Sequence, residues 1–262
     1  MKKLALLWFS VITLSLIFMV SSNAKIDPKT AAGVWLLNEG EDEQIAEDIS
    51  GNENHGTLVG GPEWVDGKFG EALSFNGQTA RVAIPDADSL DLQGAWTITA
   101  WIFVNKTEDS YGHILGKRTG TANYAFRISQ AGTGWESYFW RDGAWQGIWG
   151  QGNVKREEWL YMTAVYDGES MITIYENGVQ VGVGGVGKPP PAGESEVHIG
   201  GWQGNASELL DGILDEVVLF NVALELEDIE DLMNNGVEAA FGITPVQPLG
   251  KLASTWGSIR AK

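Results

Sequence analysis

The chain predicts an all-β sandwich with one short helix near its C-terminus. Three observations carry that prediction. Glycine is abundant (34 of 262 residues) while proline is scarce (8). Short runs rich in β-branched and aromatic residues recur about every dozen residues. Only one segment has a helical period.

Residues 1–24 read as an export signal. Lys2 and Lys3 give a positive start, and Leu4–Val20 is an apolar run broken only by small hydroxyl residues. Ser22-Asn23-Ala24 then offers small residues where a signal peptidase looks, so cleavage is expected after Ala24. The competing reading is an uncleaved anchor, because a 17-residue run lies at the lower edge of what spans a bilayer. Residues 25–242 form the expected domain, of a length that an all-β sandwich fills as one unit. Residues 243–262 form a linker and short basic tail, with Pro245, Pro248, Lys251, Arg260 and Lys262 and no acidic residue.

Without residues 1–24, 238 residues remain, carrying 15 basic and 35 acidic side chains, a net charge of −20. Such a surface repels nucleic acid and anionic lipid, so neither is an expected partner, nor is membrane insertion once the signal is removed. There is no cysteine. Durability outside the cell must come from the core or from a metal, and thiolate chemistry is excluded.

The stretch from Asp48 to Gly61 places oxygen-bearing side chains at alternate positions: Asp48, Ser50, Asn52 and Asn54, closed by Gly56. In a tight loop that spacing turns hard oxygens toward one point, as calcium requires. Glu53 and Val59 stand where an EF-hand has its glycine and its bidentate glutamate, so another ligand must come from afar; Asp215-Glu216 is the candidate. The alternative is that Asp, Ser, Gly and Asn are simply turn formers.

The strands follow in order. Ala72–Phe75 and Arg81–Ile84 are expected to pair through Asn76-Gly77. Thr97–Val104 and Trp159–Tyr166 are apolar on nearly both faces and should lie centrally. Met171–Glu176 and Val179–Val181 flank Asn177-Gly178, a hairpin signal. Glu196–Gly200 and Gly212–Phe220 supply late strands. The helical segment is Ala223–Asn234, with Leu224, Ile229, Leu232 and Met233 on one stripe and Asn235-Gly236 as the stop.

Seven motifs occur in a telling order: Gly33–Gly40, Asp48–Gly56, Trp64–Gly77, Trp96–Trp101, Trp159–Gly168, Tyr175–Gly178 and Asp211–Val217. Over residues 31–236 the chain resembles the bacterial laminin-G-like, concanavalin A-like jelly-roll domain. The resemblance implies a two-sheet antiparallel jelly roll, with the first strand near the last and a structural calcium where the Asp48 loop meets Asp215-Glu216. The expected ligand set is Asp48, Asn52, Asn54, Asp215 and Glu216, with backbone carbonyls near Asn52–His55.

Trp135–Trp149 holds four of the twelve tryptophans. If Asp142-Gly143 is a two-residue turn, Trp140 lies opposite Trp145 and Tyr138 opposite Gly147, with Trp149 on the same face across from Glu136. Trp135, Phe139 and Ile148 take the other face. A sandwich strand has one face for its core, so one aromatic set should be exposed. Rings at intervals of ~7 Å along a strand suit stacking on sugar C–H faces; the alternative is that this set also packs under a loop or in a groove. The expected ligand-binding residues are Arg127, Tyr138, Trp140, Trp145, Trp149 and Trp202.

His55, His113 and His198 are far apart and lack zinc spacing, so they read as structural or incidental. The carboxylate strings Glu39–Glu43 and Glu225–Glu230 fall in a loop and a helix rather than on a groove-facing strand, as a glycosidase needs, and no Gly-x-Ser-x-Gly elbow is present. The leading expectation is an exported, non-catalytic module, secreted or at the cell surface, that binds a glycan or a cell-surface protein and carries a structural calcium. A structural surface-layer or matrix protein is the alternative, and a glycoside hydrolase the third.

Overall fold

A computed structural model describes residues 26–41, 43–106, 111–119, 121–130, 132–187, 193–202 and 206–243. The expected export signal and the expected basic tail beyond Ile243 lie outside them. The strands are β1 (Ala31–Trp35), β2 (Ile45–Ala46), β3 (Gly56–Val59), β4 (Glu63–Asp66), β5 (Glu71–Asn76), β6 (Arg81–Ile84), β7 (Trp96–Lys106) and β8 (His113–Thr119). They continue with β9 (Thr121–Ile128), β10 (Trp135–Arg141), β11 (Ala144–Gln151), β12 (Trp159–Tyr166), β13 (Met171–Glu176), β14 (Val179–Gly185), β15 (Val197–Ile199) and β16 (Asp211–Phe220), followed by α1 (Leu226–Asn235) and α2 (Val237–Ala240).

Two antiparallel sheets form the expected sandwich. The first runs β14-β13-β12-β7-β16-β5-β4, with β1 also on β16; the second runs β11-β10-β9-β8-β15-β6-β3-β2. Between them Trp35, Phe75, Trp96, Ile98, Ile102, Phe126, Trp135, Phe139 and Tyr166 are fully or almost fully buried. The outer face of the first sheet is covered too. Trp101, Tyr161, Val218 and Phe220 meet Ile229, Leu232, Val237 and Phe241 of the C-terminal helical segment. That second layer explains why β7 and β12 lack polar alternation: both of their faces are buried. The helix ends where the sequence places its stop, with Gly236 at φ 79° donating its N–H to the Leu232 carbonyl.

β16 changes partner along its length. Asp211–Leu214 pair with β5, whereas Val217–Phe220 pair with β1. The change falls at a bulge against β7, between Asp215 and Val218, where Glu216 sits at φ 48°.

One expected hairpin is corrected. β5 and β6 lie in different sheets and do not pair. The Asn76 side-chain oxygen accepts hydrogen bonds from the backbone N–H groups of Gln78, Thr79 and Ala80, so Asn76-Gly77 shapes a crossing between layers instead of a two-residue turn. The Asn177-Gly178 hairpin forms as expected, with both residues at positive φ (52° and 76°).

Candidate functional site

The β10–β11 hairpin reverses at Asp142-Gly143, whose φ values of 49° and 80° are those of a type I′ turn. Its register places Trp140 opposite Trp145 and Tyr138 opposite Gly147. A bulge between Trp135 and Ser137 then replaces a simple pairing of Glu136 with Trp149. Trp135, Phe139 and Ile148 enter the core, and the other aromatic set faces outward. Trp145 and Trp149 remain 40% and 43% exposed. Tyr138 lies beneath them, 1% exposed, stacked on Trp149 (centroids 5.2 Å, 26° between planes) and edge-on to Trp145 at 5.2 Å. Trp140 packs edge-on against Trp145 at 4.8 Å. Gly147 permits this: a Cβ there would stand 2.4 Å from the Tyr138 Cβ.

Neighbouring strands add charge to the same face. Glu136 on β10 is opposite Arg127 on β9, which is opposite His113 on β8; Arg118 also comes from β8. Arg127 Nε and Nη2 both reach Glu136 Oε2 at 3.0 Å. Glu208, on a short 3₁₀ turn, accepts at Oε2 from Arg118 Nη1 (2.5 Å), His113 Nε2 (3.0 Å) and Arg127 Nη1 (3.4 Å). The guanidinium faces are covered by rings. Arg127 lies 3.8 Å from the Tyr111 centroid and 4.6 Å from that of Tyr138. Arg118 lies 4.4 Å from Trp202 and 5.0 Å from Trp145. Trp202 is fixed by its own Nε1–H bond to the Arg118 carbonyl.

The ionisation states follow. Burial pushes the Glu208 carboxyl up, but the His113 hydrogen bond and the Arg118 and Arg127 charges outweigh it and bring it down to about 2. Burial pushes His113 down to about 4, so at neutral pH it is an uncharged imidazole donating Nε2–H to Glu208. Burial raises Glu136 despite the Arg127 charge, and lifts the Tyr138 hydroxyl to about 12. Tyr111, Arg118, Arg127, Tyr138, Trp145 and Trp149, with Glu208, line a concavity of about 320 Å³, within the size range of small-ligand pockets.

The six expected ligand-binding residues thus occupy one face: Arg127, Tyr138, Trp145 and Trp149 line the concavity, while Trp140 and Trp202 buttress it through ring contacts. The sequence does not single out Tyr111, Arg118, Glu136 or Glu208, and His113, read there as structural or incidental, is a hydrogen-bond partner of Glu208. Alternation with Tyr138 and Trp140 along β10 gives a signal for Glu136; nothing local marks Arg118, or Glu208, 81 residues from Arg127.

The expected calcium ligands fall into two sets. Asp48 has both oxygens filled: Oδ1 accepts from Val34 N and Ser50 N, and Oδ2 from Asn54 N and Ser50 Oγ. Asn52 and Asn54 direct their amide N–H groups at the carbonyls of Ala31 and Ala32. Donors surrounding a carboxylate do the work that a cation would do, so this loop fits the turn-former alternative. The loop pairs with Trp35 of β1, and β1 stands between it and β16. Asp215 is fully buried; Oδ2 accepts from Lys68 N and Phe69 N, and Oδ1 has no partner. Glu216 is 3% exposed; Oε1 accepts from Val237 N, and Oε2 has no partner. Burial pushes Asp215 up to about 7 and Glu216 up to about 8. Among the described residues no three His, Cys, Asp or Glu converge as a metal group. Of the five expected ligands, Asp215 and Glu216 keep a buried oxygen without a partner among the described residues, while both carboxylate oxygens of Asp48 are met by donors. Among the described residues no helix is long and apolar enough to cross a membrane.

The fold has many solved counterparts. The binding domain of Paraclostridial Mosquitocidal Protein 1 superposes with a TM-score of 0.65 at 15% identity, over 79% of this chain and 52% of that one, so the chain spans about half its length. Domain 4 of AbnA, a GH43 extracellular arabinanase from Geobacillus stearothermophilus solved with arabinotriose, gives 0.62 at 18% identity over 78% and 98%. The receptor binding domain of botulinum neurotoxin C/D mosaic serotype gives 0.64 at 10% over 79% and 51%. No curated protein matches in sequence. A family profile described as the concanavalin A-like lectin/glucanases superfamily (Laminin_G_3) matches residues 76–230. The chain belongs to that superfamily.

Proposed function

We propose that this protein is an exported, non-catalytic module that binds carbohydrate in the cleft of the β10–β11 hairpin. The observation that carries the reading is the pair of half-exposed tryptophans, Trp145 and Trp149, held at the cleft rim by Tyr138 and by Arg118. Large apolar rings are left in water at a cost of about 1.5–3 kcal/mol each relative to burial, and a sugar's C–H face recovers part of it. Polar atoms beside the rings, on Arg118, Arg127 and Glu208, suit sugar hydroxyls.

Catalysis is not part of the proposal, because the two carboxyls at the cleft lack the roles that glycoside hydrolysis needs. Glu208 and Glu136 both turn onto the same Arg127 instead of facing each other from opposite walls of the cleft. That structural neighbours are named as binding domains, one of them solved with an oligosaccharide, supports the same direction. Export rests on Lys2, Lys3 and the apolar run to Val20. Calcium is a separate proposal, resting on Asp215 Oδ1 and Glu216 Oε2. There the ion would neutralise two buried carboxylates and tie β16 to the helical segment through Val237.

The test is a glycan array read with the intact protein and with Trp145→Ala and Trp149→Ala. Binding that falls tenfold or more in either variant supports the reading; unchanged binding, or none on a broad array, refutes it.

A further inference from the structure

The cleft contains two arginines, which in an acidic protein invite the reading of an anion receptor. Their surroundings argue otherwise. An arginine that captures a carboxylate or sulfate presents a free edge bearing two N–H groups. The Nε–Nη2 edge of Arg127 is already engaged on Glu136, and its Nη1 points at Glu208. Arg118 directs Nη1 at Glu208 and at the Tyr138 hydroxyl (3.4 Å), while its Nε is buried without a partner between Trp145 and Trp202. Their planar faces are occupied by aromatic rings. Charge is matched as well: two guanidinium groups face Glu136 and Glu208, and His113 adds nothing at neutral pH. An acidic ligand would bring a third anion beside two that are already fully paired; a cationic one would bring a third positive charge against two arginines.

Resting on the carbohydrate reading above, we propose that the cleft selects uncharged saccharides, and that Arg118 and Arg127 act as charge-balanced supports for the aromatic floor instead of as anion receptors. The ring faces of Trp145 and Trp149 take the C–H face of the sugar. The outward edges of the ion-paired network exchange hydrogen bonds with hydroxyls, which are both donors and acceptors and so match a surface of mixed sign. Because no net charge meets the ligand, the affinity is insensitive to salt.

The experiment is calorimetric titration of the intact protein with three kinds of oligosaccharide of equal length: neutral (arabino- and gluco-configured), uronate-containing and sialylated. Each is measured at ~0.02 M and ~0.5 M NaCl, which moves the Debye length from roughly 20 Å to under 5 Å. The expected result is binding in a neutral arm with a Kd that changes less than about twofold with salt, at least tenfold tighter than in either acidic arm. Glu136→Gln, which leaves one arginine charge unmatched, should narrow that tenfold gap by strengthening the acidic arms. Binding confined to an acidic arm and lost at high salt overturns this inference while leaving the carbohydrate reading in place. No binding in any arm removes both.

Discussion

Glu216→Gln should make the protein more stable, and increasingly so as pH rises. Glu216 sits at the bulge of β16, 3% exposed, with one oxygen on Val237 N and the other unpartnered. Burial raises its carboxyl from 4.5 to about 8. At about 1.4 kcal/mol per pKa unit, that disfavours the ionised form by up to ~5 kcal/mol. An unfolded chain loses this proton near pH 4.5 whereas the folded chain keeps it to about pH 8. Between those values the native state binds more protons, so stability falls as pH rises and then levels off above the folded value. Glutamine retains the Val237 contact and has no proton to lose. The melting-temperature gap between variant and wild type should be small at pH 4.5 and open to about 10 °C by pH 8.5, using ~2–4 °C per kcal/mol for a domain of this size. Differential scanning calorimetry in chelator measures it. A gap that does not change with pH would refute the argument. Repeating the scan with millimolar calcium separates the cation proposal: it requires calcium to raise the wild-type melting temperature and to leave Glu216→Gln unmoved.

The site itself makes further predictions. Arg127→Met should leave Glu136 buried without its partner and Glu208 with one fewer, costing about 3–5 kcal/mol by the usual price of breaking a buried pair; urea unfolding would show it, and a loss below about 1 kcal/mol would mean the network is solvated. Gly147→Ala should displace Tyr138, because the new methyl would overlap its Cβ. That predicts lost ligand binding with a fold intact by circular dichroism, and retained affinity would contradict the ring geometry. At acid pH the Glu208 network should fail: its contribution is present above about pH 4.5 and disappears as pH falls toward 2, as the carboxyl protonates. The burial of His113 acts in the same direction, since the unfolded imidazole takes up a proton below about 6.5 and the folded one only near 4. A Glu208→Gln variant should therefore show a flatter acid limb than wild type in the same melting series.

What could be read from the sequence was local. Asp142-Gly143 and the alternation around it give the hairpin register, the inward set and the outward set, because turn chemistry and strand period act within a dozen residues. The same logic misleads at Asn76-Gly77, where the asparagine side chain caps three backbone N–H groups and the next strand belongs to the other sheet. Arg118 and Glu208 are invisible for a different reason: the cleft joins β8, β9 and the hairpin to a distant 3₁₀ turn, and side-chain pairing across such distances leaves no periodic trace. At Asp48 the oxygen spacing is legible in the sequence but its hydrogen-bond partners are not. Backbone N–H groups of Val34, Ser50 and Asn54 fill the carboxylate, a competition that composition alone does not reveal. Glu216 stands out in the sequence as an acidic residue within an apolar strand, but its free oxygen follows from a bulge that only the pairing of β16 with three neighbouring strands defines.

The most direct measurement is a crystal structure of the protein soaked with the tightest oligosaccharide from the array. A sugar ring stacked on Trp145 or Trp149, with hydroxyls at the Arg118, Arg127 and Glu208 edges, is the predicted result. Sugar density seated elsewhere, with both tryptophans untouched, would contradict the account.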